Sequence, residues 1–469
     1  MRTLTLRQPI TAATLAALFV VTTLAALLLT ATIARAVDLP GDLLWQKTTV
    51  ASSSSGFVEL ARGPKGVVYA VGARDYKVAG KASECILLAK YSSSGRLLWK
   101  RSLAGGVIPN GSDGSGVAVD GSGNATVIGY KGTKTHGGDI VIARYSPAGR
   151  LLWTRTYNGP ADDTDQAFDV ALDRSGNALV AGYATTATRG ADLLLLKYAA
   201  RTGRRLWKYT YNNAAANLDE GANAVVVDRG GNSYLTGWSA NAGNSDGAVP
   251  AVKVSATGKQ LWAKRLQIGH WGNAIRVALD SAGNVVIGGD CVGAGGNRDL
   301  FAARLKPGSG AQAWTPVVLA YADDQHLNAM VVGSGHDDIY LVGSSEGPAP
   351  MGVIAAFKST GAPLWDTFYT PDHPYSGGSL AWTAVARDAH DNLYVAGCDS
   401  SPTTNTFEVG KAAWDGTWPL WQTRVQGDVS GHATPMDALW VGGSTGGVYA
   451  CGVLTRAGVD YAYIAKLKP

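Results

Sequence analysis

Seven histidines occur in 469 residues, and four of them fall at similar places in the chain: His270, His326, His373 and His432. Acids lie close to them at Asp323, Asp324, Asp372 and Asp428, and Trp271 adjoins His270. Imidazoles beside carboxylates can bind a metal, move a proton or hold a polar ligand between pH 5 and 8. An aromatic ring next to such groups suits a sugar ring or a peptide. A second set, Glu59, Asp169 and Arg276, recurs at equivalent points of three apolar, alternating segments. No nucleophile elbow, H-E-x-x-H zinc motif or phosphate loop accompanies these groups. The four cysteines, Cys85, Cys291, Cys398 and Cys451, form no C-x-x-C pair and are too few for a disulfide framework. Cys398 and Cys451 are the one pair whose repeat positions allow a bond.

What positions these residues is a repeat. A Trp, mostly preceded by Leu, stands at Trp45, Trp99, Trp153, Trp207, Trp262, Trp314, Trp365 and Trp421, with gaps of 54, 54, 54, 55, 52, 51 and 56 residues. A base recurs at Lys90, Arg144, Lys197, Lys253, Arg304, Lys358, Lys411 and Lys466. A glycine closes a short apolar run at Gly72, Gly129, Gly182, Gly237, Gly289, Gly343, Gly397 and Gly452. Self-similarity at such a period means stacked copies of one supersecondary unit. One unit shows the pattern: 167–172 and 178–182 are β-prone runs joined by Asp173-Arg174-Ser175-Gly176-Asn177, a tight-turn sequence, and 192–198 and the Trp207 segment complete four strands. Four short strands per unit read as a propeller blade. The expected fold is all-β, an eight-bladed β-propeller of four-stranded blades. The Leu43-Leu44-Trp45 strand has no strands of its own before it, and the last unit ends without a Trp strand. The N-terminal strand is therefore expected to complete the last blade and close the ring.

The D-x-x-G-N-x-x-x-x-G run at Asp120–Gly129, Asp173–Gly182, Asp228–Gly237 and Asp280–Gly289 and, as Asp388-Ala389-His390-Asp391-Asn392, before Gly397, resembles the bacterial β-propeller repeat (SBBP-type) proteins. Units 1, 6 and 8 depart from it, with Gly63, Ser334 and Gly443 expected in the Asp position, and the family name implies seven blades where this chain counts eight. The Gly-x-x-Leu-Trp turns, such as Gly95–Trp99 and Gly149–Trp153, also look like the tryptophan-docking turns of quinoprotein propellers, commonly eight-bladed. That likeness implies a calcium site and a catalytic Asp above a quinone. Neither matches a motif here, and the adjacent cysteine pair of alcohol-oxidising quinoproteins is absent.

Residues present in every unit are architectural: the Trp rings are expected to cover seams between blades, and the bases to pair with the turn aspartates. An anion-binding ring is the alternative use of the bases. D-x-x-G-N lacks the later bidentate Glu of a calcium loop and reads as a turn. Function belongs where the copies differ, on the long, variable connections. Entry loops of units 5–8 hold His270, Trp271, His326, His373 and His432, and those of units 2–4 hold no His. These five are the expected ligand-binding residues. Sheets stack about 10 Å apart, so eight inner strands enclose a radius of roughly 13 Å. Four histidines at that radius cannot share one metal unless their loops fold inward, though two from neighbouring blades could.

Lys and Arg total 41 against 36 acids, a net charge of +5, and charged residues are only 16% of the chain. Nucleic acid is not an expected partner at that charge. Arg2 and Arg7, an uncharged apolar run to Ile33 and Ala34-Arg35-Ala36 read as a signal peptide over 1–36, with an uncleaved anchor as the competing reading. The remainder, 37–469, is expected to be one secreted or periplasmic propeller domain, monomeric, without a membrane span. The function read from these features is a non-catalytic scaffold for a protein, glycan or envelope component on the long-loop face, with no catalytic residue and no cofactor assigned. An enzyme on the same frame, either a quinoprotein oxidoreductase or a metal-assisted polysaccharide lyase, is the alternative.

Overall fold

The computed structural model describes residues 42–50, 55–78, 81–103, 116–132, 137–188, 190–212, 219–240, 247–347, 350–369, 379–400, 405–426, 439–442, 447–456 and 459–469. The fold is an all-β propeller built from antiparallel four-stranded sheets in sequence order. Units 1, 2 and 3 span 55–103, 116–157 and 165–211. Units 4 and 5, spanning 220–266 and 271–319, are joined into one longer hydrogen-bonded array by a single bridge, Trp238 to Asn273. Units 6 and 7 span 324–369 and 379–426. The final sheet combines Leu439–Gly442, Gly447–Arg456 and Val459–Leu467 with the N-terminal strand Leu43–Val50, which pairs antiparallel along Val459–Leu467.

Unit 3 shows how the sequence sets the strands. Asp165–Leu172 and Ala178–Thr186 flank the Asp173–Asn177 turn. In that turn Gly176 has φ +74°, and Asp173 Oδ1 accepts the amides of Ser175 and Asn177 at 2.9 Å. Gly190–Tyr198 and Arg205–Tyr211 complete the sheet, and the connection expected over 183–191 shrinks because both strands run further than their apolar cores. In unit 5 the outer strand is only Val317–Leu319, after Pro316, so Trp314 precedes it. Proline offers no N–H to a ladder, which accounts for the shortening.

The apolar core is a series of slabs, each between neighbouring sheets. Ile128, Ile140 and Ile142 of unit 2 face Ala167, Val180 and Leu194 of unit 3. Tyr449, Cys451, Ala462 and Ile464 of the final sheet face Phe57, Val68, Ala70 and Leu87 of unit 1. Across the outer seams the recurring tryptophan docks on the next unit's second turn. Its indole Nε1 donates to a carbonyl there: Trp45 to Ser93 at 3.2 Å, Trp99 to Pro147 at 2.9 Å, Trp153 to Ala200 at 2.9 Å and Trp207 to Ala256 at 3.0 Å. The same bond recurs from Trp262 to Pro307, Trp314 to Ser359 and Trp365 to Trp414. Beneath each docked ring lies a glycine with positive φ. At Gly203, φ is +64° and a Cβ would lie 2.6 Å from the Trp153 ring. The turn that Trp421 would meet, at 457–458, lies outside the described residues.

The bases divide their donors. Arg144 pairs with Asp120 and donates to the next unit's Gly176 carbonyl at 2.9 Å. Lys197 lies 2.9 Å from Asp173, and Arg304 pairs with Asp280. Lys90 and Lys253 instead donate to Pro147 and Pro307 carbonyls at 2.8 and 2.9 Å. The bases therefore tie one unit to the next, in some units through a turn aspartate and in others without it. Two expected positions are corrected. The residue opposite Trp365 is Ala356, at the register shift where units 1–4 carry the base; Lys358 lies two residues further on, in the turn. Gly333, not Ser334, takes the Asp position in unit 6, since its amide donates to Asp338 O across a turn one residue longer. The missing Asp there is replaced from outside: Asp391 of unit 7, at φ 60°, accepts the Ser334 and Gly335 amides at 2.8 and 2.9 Å.

No disulfide joins Cys398 and Cys451; both are buried thiols. The physical reason is parity: Cys451 points into the slab shared with unit 1, away from unit 7.

Candidate ligand-binding site

Of the five expected site residues, His373 and His432 lie outside the described residues. His270 is exposed in the link between units 4 and 5, and its amide donates to Val292 O at 2.8 Å. Trp271 and His326 stand on strands rather than in loops: Trp271 opens Trp271–Leu279, and His326 is the third residue of Asp324–Val332. Two glycines make room at this corner. A Cβ on Gly269 would lie 2.3 Å from Val292 O, and one on Gly247 would lie 2.5 Å from the Trp271 ring.

The structure joins Trp271 to His326 through Arg298, which the sequence did not single out. The second and third strands of unit 5 turn tightly at Gly293–Asn297, with φ +87° at Gly296, and Arg298 opens the third strand opposite Val292. Its amide donates to Asp324 Oδ1 of unit 6 at 2.7 Å. Its guanidinium lies 5.2 Å from the Trp271 ring centre, an attractive cation–π distance. One nitrogen, Nη1, is 3.2 Å from His326 Nδ1 and 3.5 Å from Asp290 Oδ2. His326 Nε2 in turn lies 3.0 Å from Glu346 Oε1. Asp290 is buried, and burial pushes its carboxyl up to about 6, against the pull of Arg298 and His326. Arg298 and Glu346 reach solvent. The result is a corner between two units with an aromatic face, a fixed cation, an imidazole and two carboxylates. It can hold a polar ligand against an aromatic plane and change its charge near pH 6.

Glu59 and Asp169 have a different use. The first strands of units 1 and 3–7 carry a bulge at one place, as between Phe57 and Glu59 and between Ala167 and Asp169. A bulge re-aims the side chain beside it. Glu59 Oε2 accepts the Val117 amide at 3.0 Å, and Asp169 Oδ2 accepts the Val225 amide at 2.8 Å, each in the next unit. They are struts between sheets. Arg276 stands at the equivalent position of unit 5; burial pushes the Asp169 carboxyl up, against the Val225 amide bond and the charge of Arg276.

Arg298, Asp290 and Glu346 were the residues that sequence reasoning missed. The available signal was Arg298 at the mouth of a Gly-rich turn in unit 5, without a counterpart in the aligned units.

Among solved structures, the chain is similar to a europium-containing methanol dehydrogenase at 10% identity, over 91% of this chain and 93% of that one, with a TM-score of 0.49. It is similar to polysaccharide lyase Uly1 at 11% identity over 92% and 100%, with a TM-score of 0.43. The β-propeller domain of the Trilobed protease from Pyrococcus furiosus gives 9% identity over 80% and 100%, with a TM-score of 0.43. No curated protein matches the chain. Among the described residues, no helix is long and apolar enough to cross a membrane. A family model described as outer membrane protein assembly factor BamB (PQQ_2) matches residues 86–367, more than half of the chain and the stretch that carries most of the docked tryptophans. By that match the chain belongs to the outer membrane protein assembly factor BamB family.

Proposed function

We propose that this chain is an exported, eight-bladed propeller, closed by its N-terminal strand, that serves as a non-catalytic scaffold for a protein, glycan or envelope component. The closure reading rests on the pairing of Leu43–Val50 with Val459–Leu467 and on the docking of Trp45 in unit 1. Export rests on the basic and apolar start of the chain, residues 1–36, which lie outside the described residues. The D-x-x-G-N turns keep the likeness to SBBP-type repeat proteins as part of the proposal. One observation carries the binding function: Arg298 is shared by Trp271 of its own unit and His326 of the next, so a polar site spans a seam on the long-loop face. The equivalent aspartates and bases on the opposite face are used up between turns, whereas Arg298 keeps a solvent-facing guanidinium.

The test is binding by the whole protein, screened on glycan arrays and by envelope pull-down, then repeated with Trp271→Ala and His326→Ala. Binding should be lost from both variants with circular dichroism native; Trp271→Ala also lowers melting, because the half-buried ring packs beside Gly247 and Arg298, so a Trp271→Phe variant that keeps the packing serves as its control. Binding retained in both, and lost on changing the short-turn face, would refute the site. Stoichiometric quinone or metal in the purified protein would favour the enzyme reading instead.

A further inference from the structure

We propose that the outer edge of units 1–4 is a docking surface for an anionic lipid leaflet, separate from the Arg298 corner. The outermost strands there are Leu97–Leu103, Leu151–Tyr157, Arg205–Tyr211 and Gln260–Leu266. Each opens with a register shift beside its docked tryptophan, as between Lys197 and Tyr198 on the neighbouring strand. The shift holds the tryptophan inward and leaves leucine on the outside. Leu97 is 40% exposed, Leu151 45%, Leu206 37% and Leu261 52%. Half-exposed leucines repeated from unit to unit are the kind of apolar surface that marks an interaction site.

Charge separates these four units from units 5–7. Segments 96–103, 150–157, 204–211 and 259–266 hold eleven Lys and Arg and no acid. The equivalent segments of units 5–7, at 311–319, 362–369 and 418–426, hold one Arg and one Asp. With a chain charge of +5, everything outside the four basic strands sums to −6. Arg96, Arg150, Arg204 and Lys259 sit in the turns just before the leucines, all exposed. Lys100, Arg155, Lys208 and Lys264 follow the tryptophans, also exposed. Arg101 and Arg155 donate to the Gly149 and Gly203 carbonyls at 2.6 and 2.8 Å, which fixes them along the edge without cancelling their charge. Among the described residues none of these eight exposed cations, nor Arg101, is in an ion pair.

The chemistry that matches is phosphate beside acyl chain. Cations attract an anionic leaflet, and the exposed leucines beside them in the chain enter the boundary below the headgroups. The leucines recur once per unit, at the opening end of each outer strand. A fluid leaflet conforms to such an array, whereas an acidic protein would need a matching periodic surface.

The experiment uses the full chain with an environment-sensitive bimane probe on Leu152→Cys or Leu261→Cys, and Ala362→Cys of unit 6 as the contrast. All three share the same N-terminal segment, so the probe reports the edge itself. Vesicles of phosphatidylcholine with phosphatidylglycerol, a fraction of it brominated, should shift and quench the probes at 152 and 261 but not at 362. Vesicles of phosphatidylcholine alone should leave all three unchanged. Arg150→Gln with Lys208→Gln should weaken partitioning by about five-fold per cation, some 25-fold together. Leu151→Ser with Leu206→Ser should reduce quenching while circular dichroism and melting stay native. No quenching at 152 and 261, or equal quenching at 362, would overturn the proposal. So would heparin binding as tight as vesicle binding and indifferent to the leucine changes, which would mark a polyanion surface instead.

Discussion

Replacing Gly95 by Ala tests whether the N-terminal strand locks the ring. Gly95 has φ +79°, and a Cβ there would lie 2.5 Å from the Trp45 ring. Gly283 has a similar φ, +81°, with no atom within 4 Å of its Cβ direction. Gly283→Ala therefore measures the left-handed backbone alone, about 1–2 kcal/mol. Gly95→Ala adds the displacement of Trp45. That breaks the indole bond to Ser93 O, worth about 1 kcal/mol. It also loosens the ring from Tyr91 and Tyr449, whose centres lie 6.5 and 6.0 Å away, for about 1 kcal/mol more. The expected loss is about 3–4 kcal/mol, roughly twice that of the control. Urea unfolding of both variants gives the difference, and hydrogen exchange over 43–50 locates it. Gly203→Ala, under Trp153, should match or exceed Gly95→Ala. If Gly95→Ala costs no more than Gly283→Ala and exchange over 43–50 is unchanged, Trp45 does not latch the strand and the closure argument fails.

Asp165 and Asp290 are raised to about 6 and Glu408 to about 7, chiefly by burial, so the folded protein holds more protons than the unfolded chain between about pH 4 and 7. Calorimetric melting should therefore rise on going from pH 8 to 5. It should fall below about pH 4, where Asp173, Asp280 and Asp388, held low mainly by hydrogen bonds from Asn177, Asn284 and Asn392, lose their charge; a flat profile from 8 to 5 contradicts this. Asp391→Ala should lose about 1–3 kcal/mol, because it strips the Ser334 and Gly335 amides of their acceptor and leaves Ala at a positive φ; Asp391→Gly should lose less, and equal losses would show that the conformation is irrelevant. Cys291 and Cys398 are buried, with thiols pushed up to about 12, so a thiol reagent at pH 8 should label neither until the protein unfolds; prompt labelling of either would contradict their burial.

The repeat was legible in the chain because its determinants are local. Asp173, Gly176 and Asn177 build a turn within five residues, and Gly203 with Leu206-Trp207 marks another, so spacing alone located sheets and strands. Even the partner of the first strand could be inferred, since a unit lacking its outer strand and a strand lacking its unit lie at opposite ends. Register was not legible at bulges. A period does not sense a slip of one or two residues, so Lys358 counts among the recurring bases although Ala356 stands at the base's place opposite Trp365, and Ser334 falls one residue past Gly333. Glu59 and Asp169 were found by their equivalence, but only the stacking of sheets assigns their carboxylates to Val117 and Val225 amides. The same holds for the candidate site. Trp271 and His326 were marked by residue type and by asymmetry among copies. Arg298 and Asp290 come from other strands of unit 5, and Glu346 from the next unit. A residue's neighbours across a sheet or a seam are set by register and packing between segments distant in the chain, so tertiary structure alone decided that these five groups share one corner.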